Sequence, residues 1–306
     1  MVNFLPFFFV LIPVMNVFTI KDIENLSGIK AHTIRIWEQR YSFLKPQRTG
    51  TNIRYYSNDE LKTILNITLL NKYGFKISHI DKMNPAEIQE KIMGLSNTQA
   101  QQERVVNNLI QQMINLDMYE FEEILEKQIA ARGIERTIVL TIFPFLEKIG
   151  ILWQTGHINP AQEHLVSNII RQKLIVGIDN VKTSLRLNKT FLLFLPEGEY
   201  HEMGLLFVCY LLKSRGAEVV YVGANVPMKD VQSVAVIKKP DFIYTHLTSA
   251  SSSFNFERFL NNLSFRIGKI KTIISGPIVF TYKRQPPPNI QFKKSLAEVL
   301  DLISSL

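Results

Sequence analysis

The feature that most constrains this fold is the alternation of apolar, β-rich runs with helical segments along residues 189–306. The apolar runs are predicted as four strands and a short fifth, at 190–196, 218–223, 242–247, 271–276 and 290–292. The helical segments between and after them lie at 201–215, 229–238, 254–265 and 295–306. Strands joined through helices pair in parallel, so the pattern predicts a doubly wound parallel sheet of flavodoxin-like strand order. Its ligand-binding loops are expected at the carboxyl ends of the strands.

The charge of the chain is unevenly distributed. Of the formal net charge of +8, residues 1–82 carry +5, residues 83–182 carry −3 and residues 183–306 carry +6. The basic first segment is a candidate for contact with nucleic acid phosphates, whereas the acidic middle segment is not. The single cysteine, Cys209, excludes an intramolecular disulfide and a cysteine-based zinc or iron–sulfur site, and it favours a reducing, cytoplasmic compartment.

The amino-terminal end is an apolar run without Lys or Arg over residues 1–20, interrupted by Pro6 and Pro13. It lacks the basic region and small-residue cleavage site of a secretory signal, and the two prolines oppose a membrane-spanning helix. We expect translation to begin at Met15, with residues 1–14 as an upstream extension. A membrane anchor is the alternative, because hydropathy alone does not exclude it.

The basic first segment has the pattern of a winged helix-turn-helix. Thr19 can cap a first helix, the Ser27-Gly28 pair makes a turn, and a second helix starts near Lys30 with Trp37 facing the core. The following sequence FLKPQRTGTNIRYYS predicts a short hairpin with basic side chains suited to backbone phosphates. Two short helices joined by a glycine turn are typical of a DNA-reading motif. A protein-binding module is the alternative.

The motifs IRIWEQRY, RTGTNIRYYS and ELKTILNITLLNKYGFKISHI resemble, in this order, the MerR family of transcription regulators over residues 17–83. The resemblance implies a DNA-binding domain at 15–83 that acts as a dimer on double-stranded, pseudo-palindromic operators. It implies DNA contacts by the following residues: Thr33, Arg35, Arg40, Arg48, Arg54 and Tyr55.

Residues 84–187 are predicted to form a bundle of four or five helices, because apolar residues recur there at helical spacing. Within it, Trp153 is followed after nine residues by Glu163 and His164. This W-x9-EH spacing resembles the light-sensing cobalamin repressors of the CarH and LitR type, which belong to the MerR family. The resemblance implies that the bundle caps the upper face of bound cobalamin, with Trp153 over the upper ligand and Glu163 beside it.

The first loop of the predicted sheet contains Glu199, His201 and Gly204 in an E-x-H-x-x-G pattern, close to the D-x-H-x-x-G motif of cobalamin-binding domains. The resemblance implies a cobalamin-binding Rossmann-like domain at 188–306, with His201 as lower axial cobalt ligand and Glu199 orienting its imidazole. Gly204 would allow close approach of the nucleotide tail. Residues at or close to the positions of the family's S-x-L and Gly-Gly motifs would contact that tail: Thr245, Leu247, Ser249, Ser275 and Gly276. Thr245 in place of Ser and Ser275 in place of Gly are mild departures from the family pattern.

Together the resemblances imply a repressor that binds adenosylcobalamin, with methylcobalamin as an alternative, and that is a sensor and not an enzyme. Cofactor binding would assemble homo-oligomers, dimers or tetramers, on DNA. Light would break the cobalt–carbon bond, His164 would then bind cobalt, and the assembly would come apart. Two alternatives remain open: a cobalamin-independent MerR-type regulator whose carboxyl-terminal domain binds a partner protein, and a corrinoid carrier in methyl transfer. The DNA-binding segment opposes the second.

Overall fold

The computed structural model describes residues 17–154, 158–248 and 254–306. These residues separate into two compact units, the first ending at Ser167 and the second beginning at Asn168. The predicted domain limits at 15–83, 84–187 and 188–306 stay a prediction, and the predicted extension at 1–14 lies outside the described residues.

The first unit begins with a winged helix-turn-helix, as predicted. Thr19 caps the first helix in a capping box with Asp22, and Gly28 ends it in a left-handed conformation at φ +74°. An antiparallel pair of short strands forms the wing, and two further helices follow. The elements are α1 (Ile20–Ser27), α2 (Ala31–Arg40), β1 (Gln47–Arg48), β2 (Arg54–Tyr55), α3 (Asn58–Lys72) and α4 (Ile77–Ile80).

The helical bundle follows, with one interruption that the sequence did not predict. Its helices are α5 (Pro85–Met93), α6 (Thr98–Asn115), α7 (Met118–Arg132), α8 (Ile134–Thr137), α9 (Phe143–Gln154) and α10 (Pro160–Asp179). Where a continuous helix over 135–151 was predicted, a π-helical turn at Ile138–Ile142 separates α8 from α9. Pro144 has no N–H to donate to the carbonyl four residues earlier. A wider, π-helical turn before it accommodates the missing hydrogen bond of the helix.

The second unit contains a five-stranded, fully parallel sheet. Its elements are β3 (Leu187–Pro196), α11 (Met203–Ser214), β4 (Ala217–Val226), α12 (Met228–Lys238), β5 (Phe242–His246), α13 (Phe256–Ile267), β6 (Lys271–Ser275), a 3-10 turn (Pro277–Thr281), β7 (Ile290–Lys293) and α14 (Leu296–Ser304). The strand order β4-β3-β5-β6-β7 is the flavodoxin-like order that the sequence predicted. The helix predicted from residue 201 begins at Met203, so His201 lies in the loop.

The interior strand β3 is buried along its second half, from Phe191 to Pro196, so both faces of the sheet are covered there. Within the described ranges, no helix is long and apolar enough to cross a membrane.

Candidate functional site

The candidate site of the second unit lies where three neighbouring parallel strands end. After β3, the chain first adds β4 on one side of β3 and then adds β5 on its other side. Such a switch in strand order opens a crevice at the carboxyl edge of the sheet, where α/β proteins bind ligands. Glu199 and His201 follow β3, Thr245 lies at the end of β5, and Ser275 ends β6. The topology therefore brings these predicted site residues to one edge.

A buried carboxylate fixes the imidazole of His201. Glu199 is 3% exposed, and its Oε1 accepts hydrogen bonds from the backbone N of His201 at 3.0 Å and from the ring Nδ1 at 2.6 Å. Because a carboxylate accepts, Nδ1 is the donor in this contact, and in the neutral imidazole Nε2 then keeps its lone pair. The His201 side chain is 56% exposed. Nε2 is therefore the nitrogen through which this residue can bind a metal ion.

Glu199 also holds neighbouring loops in place. Its Oε2 accepts a hydrogen bond from the backbone N of Thr248 at 2.9 Å, just beyond β5. Its carbonyl oxygen accepts one from the backbone N of Asn225, at 3.2 Å, and the Oδ1 of Asn225 accepts one from Gly198 N at 3.0 Å. The loop that carries His201 is thus tied to the ends of β4 and β5.

The residue after His201 anchors the same loop to α10. Glu202 Oε2 lies 2.8 Å from Arg171 Nη2, and Glu202 Oε1 accepts a hydrogen bond from the hydroxyl of Tyr221 at 3.0 Å. Burial, with the Glu202 carboxylate beside it, raises the pKa of Tyr221 above its ordinary range. The hydroxyl therefore stays protonated and continues to donate.

The residues after β5 and β6 contact each other. Thr245 is fully buried, and its Oγ1 has no hydrogen-bond partner among the described residues. The backbone N of Leu247 donates to the carbonyl oxygen of Ser275 at 2.9 Å. Gly276 has φ +104°, and a Cβ there would lie 2.2 Å from the Leu247 carbonyl oxygen. Leu247 and Gly276 pack on each other, whereas the Thr245 hydroxyl is a buried polar group available to a ligand. Ser249 lies outside the described residues.

Our sequence-based prediction left His246 out of the site, although it lies between two residues that it included. The His246 ring covers Gly204, since a Cβ at Gly204 would lie 2.5 Å from its Cδ2. Its Nδ1 is 2.8 Å from the Oγ of Ser275, and that oxygen is 2.5 Å from the hydroxyl of Tyr244. Burial lowers the pKa of His246 to about 4, against the opposing effect of the Glu199 carboxylate. The imidazole is neutral at pH 7.

The half-buried imidazole of His246 predicts a pH dependence of stability. Its pKa falls from 6.5 to about 4 on folding, so between these values the unfolded chain binds more protons than the folded chain. The contribution of neutral His246 is complete above about pH 6.5 and is lost toward pH 4, at up to about 1.4 kcal/mol per pH unit. We expect the melting temperature to fall more steeply between pH 7 and pH 4 in the wild-type protein than in the His246→Gln variant. Equal slopes would contradict the assignment.

In the bundle, the structure brings Glu163 and His164 together in the first turn of α10. Glu163 Oε1 accepts a hydrogen bond from Ser167 Oγ at 2.6 Å, and Glu163 Oε2 lies 3.4 Å from the Nδ1 of His164, whose side chain is 73% exposed. The side chain of Trp153 lies outside the described residues.

The buried Gln162, which sequence reasoning missed, fixes the start of α10. Its Nε2 donates to the carbonyl oxygens of Met113 and Ile114 at 3.3 and 3.1 Å, at the end of α6. Its Oε1 accepts a hydrogen bond from the backbone N of Asn159 at 2.9 Å. Gln162 is thus a positioning residue for the turn that carries Glu163 and His164.

In the helix-turn-helix, the predicted DNA contacts lie on α2 and on the wing. Residues on α2 are Thr33, Arg35 and Arg40, of which both arginines are exposed, and residues on the wing are Arg48, Arg54 and Tyr55. The Nη1 of Arg48 donates to Asn52 Oδ1 at 2.7 Å, and the hydroxyl of Tyr55 donates to Gln47 Oε1 at 2.5 Å. Trp37 is buried and contacts Phe43 edge to face, which agrees with its predicted place in the core.

A carboxylate that sequence reasoning missed joins the wing to α2. The Oε2 of Glu38 accepts a hydrogen bond from Arg54 Nε at 2.7 Å, and its Oε1 accepts one from the hydroxyl of Tyr56. The Glu38 side chain is 8% exposed and Tyr56 is fully buried. Burial, followed by the Glu38 contact, raises the pKa of Tyr56 above its ordinary range. Arg54 is therefore a link between α2 and the wing, the two elements that are predicted to contact DNA, as well as a candidate contact itself.

Comparison with known proteins finds similarities over the helix-turn-helix and over the helical bundle. Residues 18–87 match the family model described as MerR HTH family regulatory protein, and residues 105–176 match the model described as B12 binding domain. The chain is 27% identical over 252 residues to the HTH-type transcriptional repressor CarH of Myxococcus xanthus, covering 80% of this chain and 84% of CarH. It is 26% identical over 259 residues to the repressor CarA of the same organism, covering 84% of this chain and 85% of CarA.

The fold is also similar to a solved structure, that of the monomethylamine corrinoid protein of Methanosarcina barkeri. The TM-score is 0.55 at 14% identity, over 67% of this chain and 99% of that one, which concerns the fold alone. The predicted resemblance to MerR-type regulators with a cobalamin-binding domain is confirmed. The chain is thus similar to the MerR family over residues 18–87, to B12 binding domains over residues 105–176, and to the CarH and CarA repressors over most of its length.

Proposed function

We propose that this chain is a transcriptional repressor whose binding to operator DNA is controlled by adenosylcobalamin and by light. The names of the relatives CarH and CarA support the repressor role. The observation that carries the cofactor role is the Glu199–His201 pair, with its 2.6 Å contact, at the switch-point crevice of the sheet. When bound, adenosylcobalamin supplies a cobalt–carbon bond that light can break.

The residues at the crevice fit a cobalt ion held in a corrin ring. An oriented, exposed imidazole is a nitrogen donor of the kind that would hold cobalt. His201 would hold cobalt through Nε2, and Glu199 would keep the imidazole in the required tautomer. The buried Thr245 hydroxyl, without a partner among the described residues, is a hydrogen-bonding group for another polar part of the ligand.

The helical bundle would respond to which ligand is bound on the upper face of the cobalamin. Trp153 would cover the upper ligand, beside Glu163. His164 is exposed in the first turn of α10, and we propose it as the second imidazole ligand after illumination. Because Gln162 fixes this turn on α6, a change in ligation at His164 would strain the bundle.

The helix-turn-helix would bind operator DNA through α2 and the wing. A single domain of this size binds DNA weakly, so assembly into dimers or tetramers raises the apparent affinity through effective concentration. Changing the assembly is then sufficient to change operator occupancy, without any change in base contacts.

The proposal predicts that the full-length protein, purified in the dark with adenosylcobalamin, retains the cofactor during size-exclusion chromatography. We expect His201→Ala to lose the absorbance signature of imidazole ligation, and His79→Ala, which alters an exposed histidine outside the site, to keep it. A DNA duplex selected from a random pool by the dark protein should be bound in the dark. We expect green light to release it and to change the elution volume.

Each part of the proposal can fail separately. If no cobalamin is retained, the cofactor role is wrong and a regulator that binds a partner protein becomes the better account. If cobalamin is retained but light changes neither elution nor DNA binding, the light response is wrong. If His164→Ala leaves the spectrum after illumination unchanged, His164 is not the second ligand.

A further inference from the structure

Gly204 is covered by a side chain of this protein. The Cβ that any other residue would place there lies 2.5, 2.7 and 2.8 Å from three atoms of the His246 ring. Real Cβ atoms do not approach other atoms so closely, so the ring rests directly on the bare glycine backbone. Gly204 is thus required by His246 itself, whatever ligand the site takes.

Hydrogen bonds hold the His246 ring in this position. Its Nδ1 lies 2.8 Å from the Oγ of Ser275, and Ser275 Oγ lies 2.5 Å from the hydroxyl of Tyr244. Ser275 and Tyr244 are 3% and 2% exposed. The serine that replaces a glycine of the family pattern therefore has a definite partner in this chain. A hydrogen bond between uncharged groups contributes modestly, so a ligand can displace the ring at limited cost.

The covered glycine lies at the switch-point crevice. Gly204 is in the first turn of α11, directly after the loop that follows β3, and His246 is the last residue of β5 on the neighbouring strand. The crevice between these two strands is where a ligand group would enter the sheet edge. The adjacent Thr245 hydroxyl is buried and has no hydrogen-bond partner in the described part of the chain.

We infer that His246 makes this crevice selective among corrinoids, because its imidazole and an inserted nucleotide tail compete for the space over Gly204. The inference rests on the proposed cobalamin function. A complete cobalamin must displace the ring from Ser275 to place its tail there. A corrinoid without a nucleotide tail binds at His201 without displacing it. His246 is thus a specificity-determining residue that lowers the preference of this site for the complete cofactor.

The test compares the affinities of cobalamin and of cobinamide, which lacks the nucleotide tail, by absorbance titration. We expect His246→Ala to raise the ratio of cobalamin to cobinamide affinity by about tenfold, the equivalent of one hydrogen bond and its packing. His79→Ala should leave the ratio unchanged. An equal ratio in the wild-type protein and His246→Ala would overturn the inference and leave the proposed function standing. Failure of both proteins to bind either corrinoid would overturn the proposed function and, with it, the inference.

A second measurement needs no cofactor and tests the contact itself. Gly204→Ala should lower the melting temperature of the wild-type protein by several degrees, because the new methyl group meets the imidazole. In the His246→Ala background the same change should cost much less, so the two substitutions are expected to be strongly coupled. Additive effects would show that His246 does not cover Gly204 and would overturn the inference even if corrinoids bind.

Discussion

Replacing Glu38 by alanine is expected to destabilise the first unit by about 2–4 kcal/mol and to weaken operator binding. The carboxylate accepts hydrogen bonds from Arg54 and from Tyr56. Tyr56 is fully buried, so its hydroxyl would lose its acceptor without gaining water. The Arg54 side chain is 26% exposed and recovers part of its solvation. Most of the cost therefore arises at Tyr56.

Tryptophan fluorescence during denaturant unfolding measures this effect, because both tryptophans of the chain, Trp37 and Trp153, belong to the first unit. Tyr56→Phe removes the hydroxyl together with its need for an acceptor, and should cost less than Glu38→Ala. In the Tyr56→Phe background, Glu38→Ala should lose much of its effect. A full-sized effect in that background would mean that the Tyr56 contact is not the cause.

The same variant has a second readout on DNA. Without Glu38 the wing loses its tie to α2, so we expect operator affinity to fall by about tenfold, as for the loss of one or two ordered contacts. Arg48→Ala provides the control, because Arg48 is exposed and bonded only to Asn52 within the wing among the contacts described. The Arg48→Ala change should reduce the magnitude of the slope of log affinity against log salt concentration by about 0.9. It should leave the free energy of unfolding nearly unchanged.

The fold was predictable from the sequence to the extent that it depends on local patterns. Apolar runs alternating with helices specify a parallel sheet, and right-handed crossovers leave few strand orders, so the observed order agreed with the prediction. Capping signals at Thr19 and Gly28 likewise fixed the limits of α1. The π-helical turn before Pro144 was missed, because apolar periodicity records which face is buried and not how the ladder accommodates a proline.

The candidate site was predictable where its residues are close in sequence. Glu199 and His201 stand two residues apart, and their contact follows from that spacing. The contacts that hold them do not: Glu199 and Thr248 are 49 residues apart, and His246 and Ser275 are 29 apart. Glu38 reaches Arg54 and Tyr56 over 16 and 18 residues. Such partners are set by sheet register and wing geometry, which no short motif encodes.

These long-range contacts share one consequence for function. Glu38 joins the wing to α2, Gln162 joins the start of α10 to α6, and Glu199 joins the loops after β3 and β5. Each is a buried polar side chain that fixes a more exposed residue proposed to contact a ligand. The proposed ligand contacts are thus oriented before binding, which lowers the entropic cost of holding DNA or a cofactor.

Replacing Glu199 by alanine is expected to weaken cobalamin binding by about 10- to 100-fold, the usual effect of losing the partner that orients a metal-binding histidine. Three N–H groups converge on this carboxylate: the backbone N and the Nδ1 of His201, and the backbone N of Thr248. Alanine removes all three acceptor contacts, so the imidazole loses both its fixed tautomer and its fixed direction. Absorbance titration gives the affinity, and the band that reports imidazole ligation should be lost.

Two further variants separate the charge of Glu199 from its hydrogen bonds. Glu199→Gln offers one acceptor oxygen; if this faces His201, the amide NH₂ meets the N–H of Thr248, donor against donor. We therefore expect Glu199→Gln to keep a weakened ligation band while losing thermal stability without cofactor. Glu199→Asp keeps both acceptors on an arm shorter by one methylene, and should bind more tightly than either. If Glu199→Ala kept full affinity and an unchanged band, Glu199 would not be the residue that orients His201, and the role assigned to the 2.6 Å contact would be wrong.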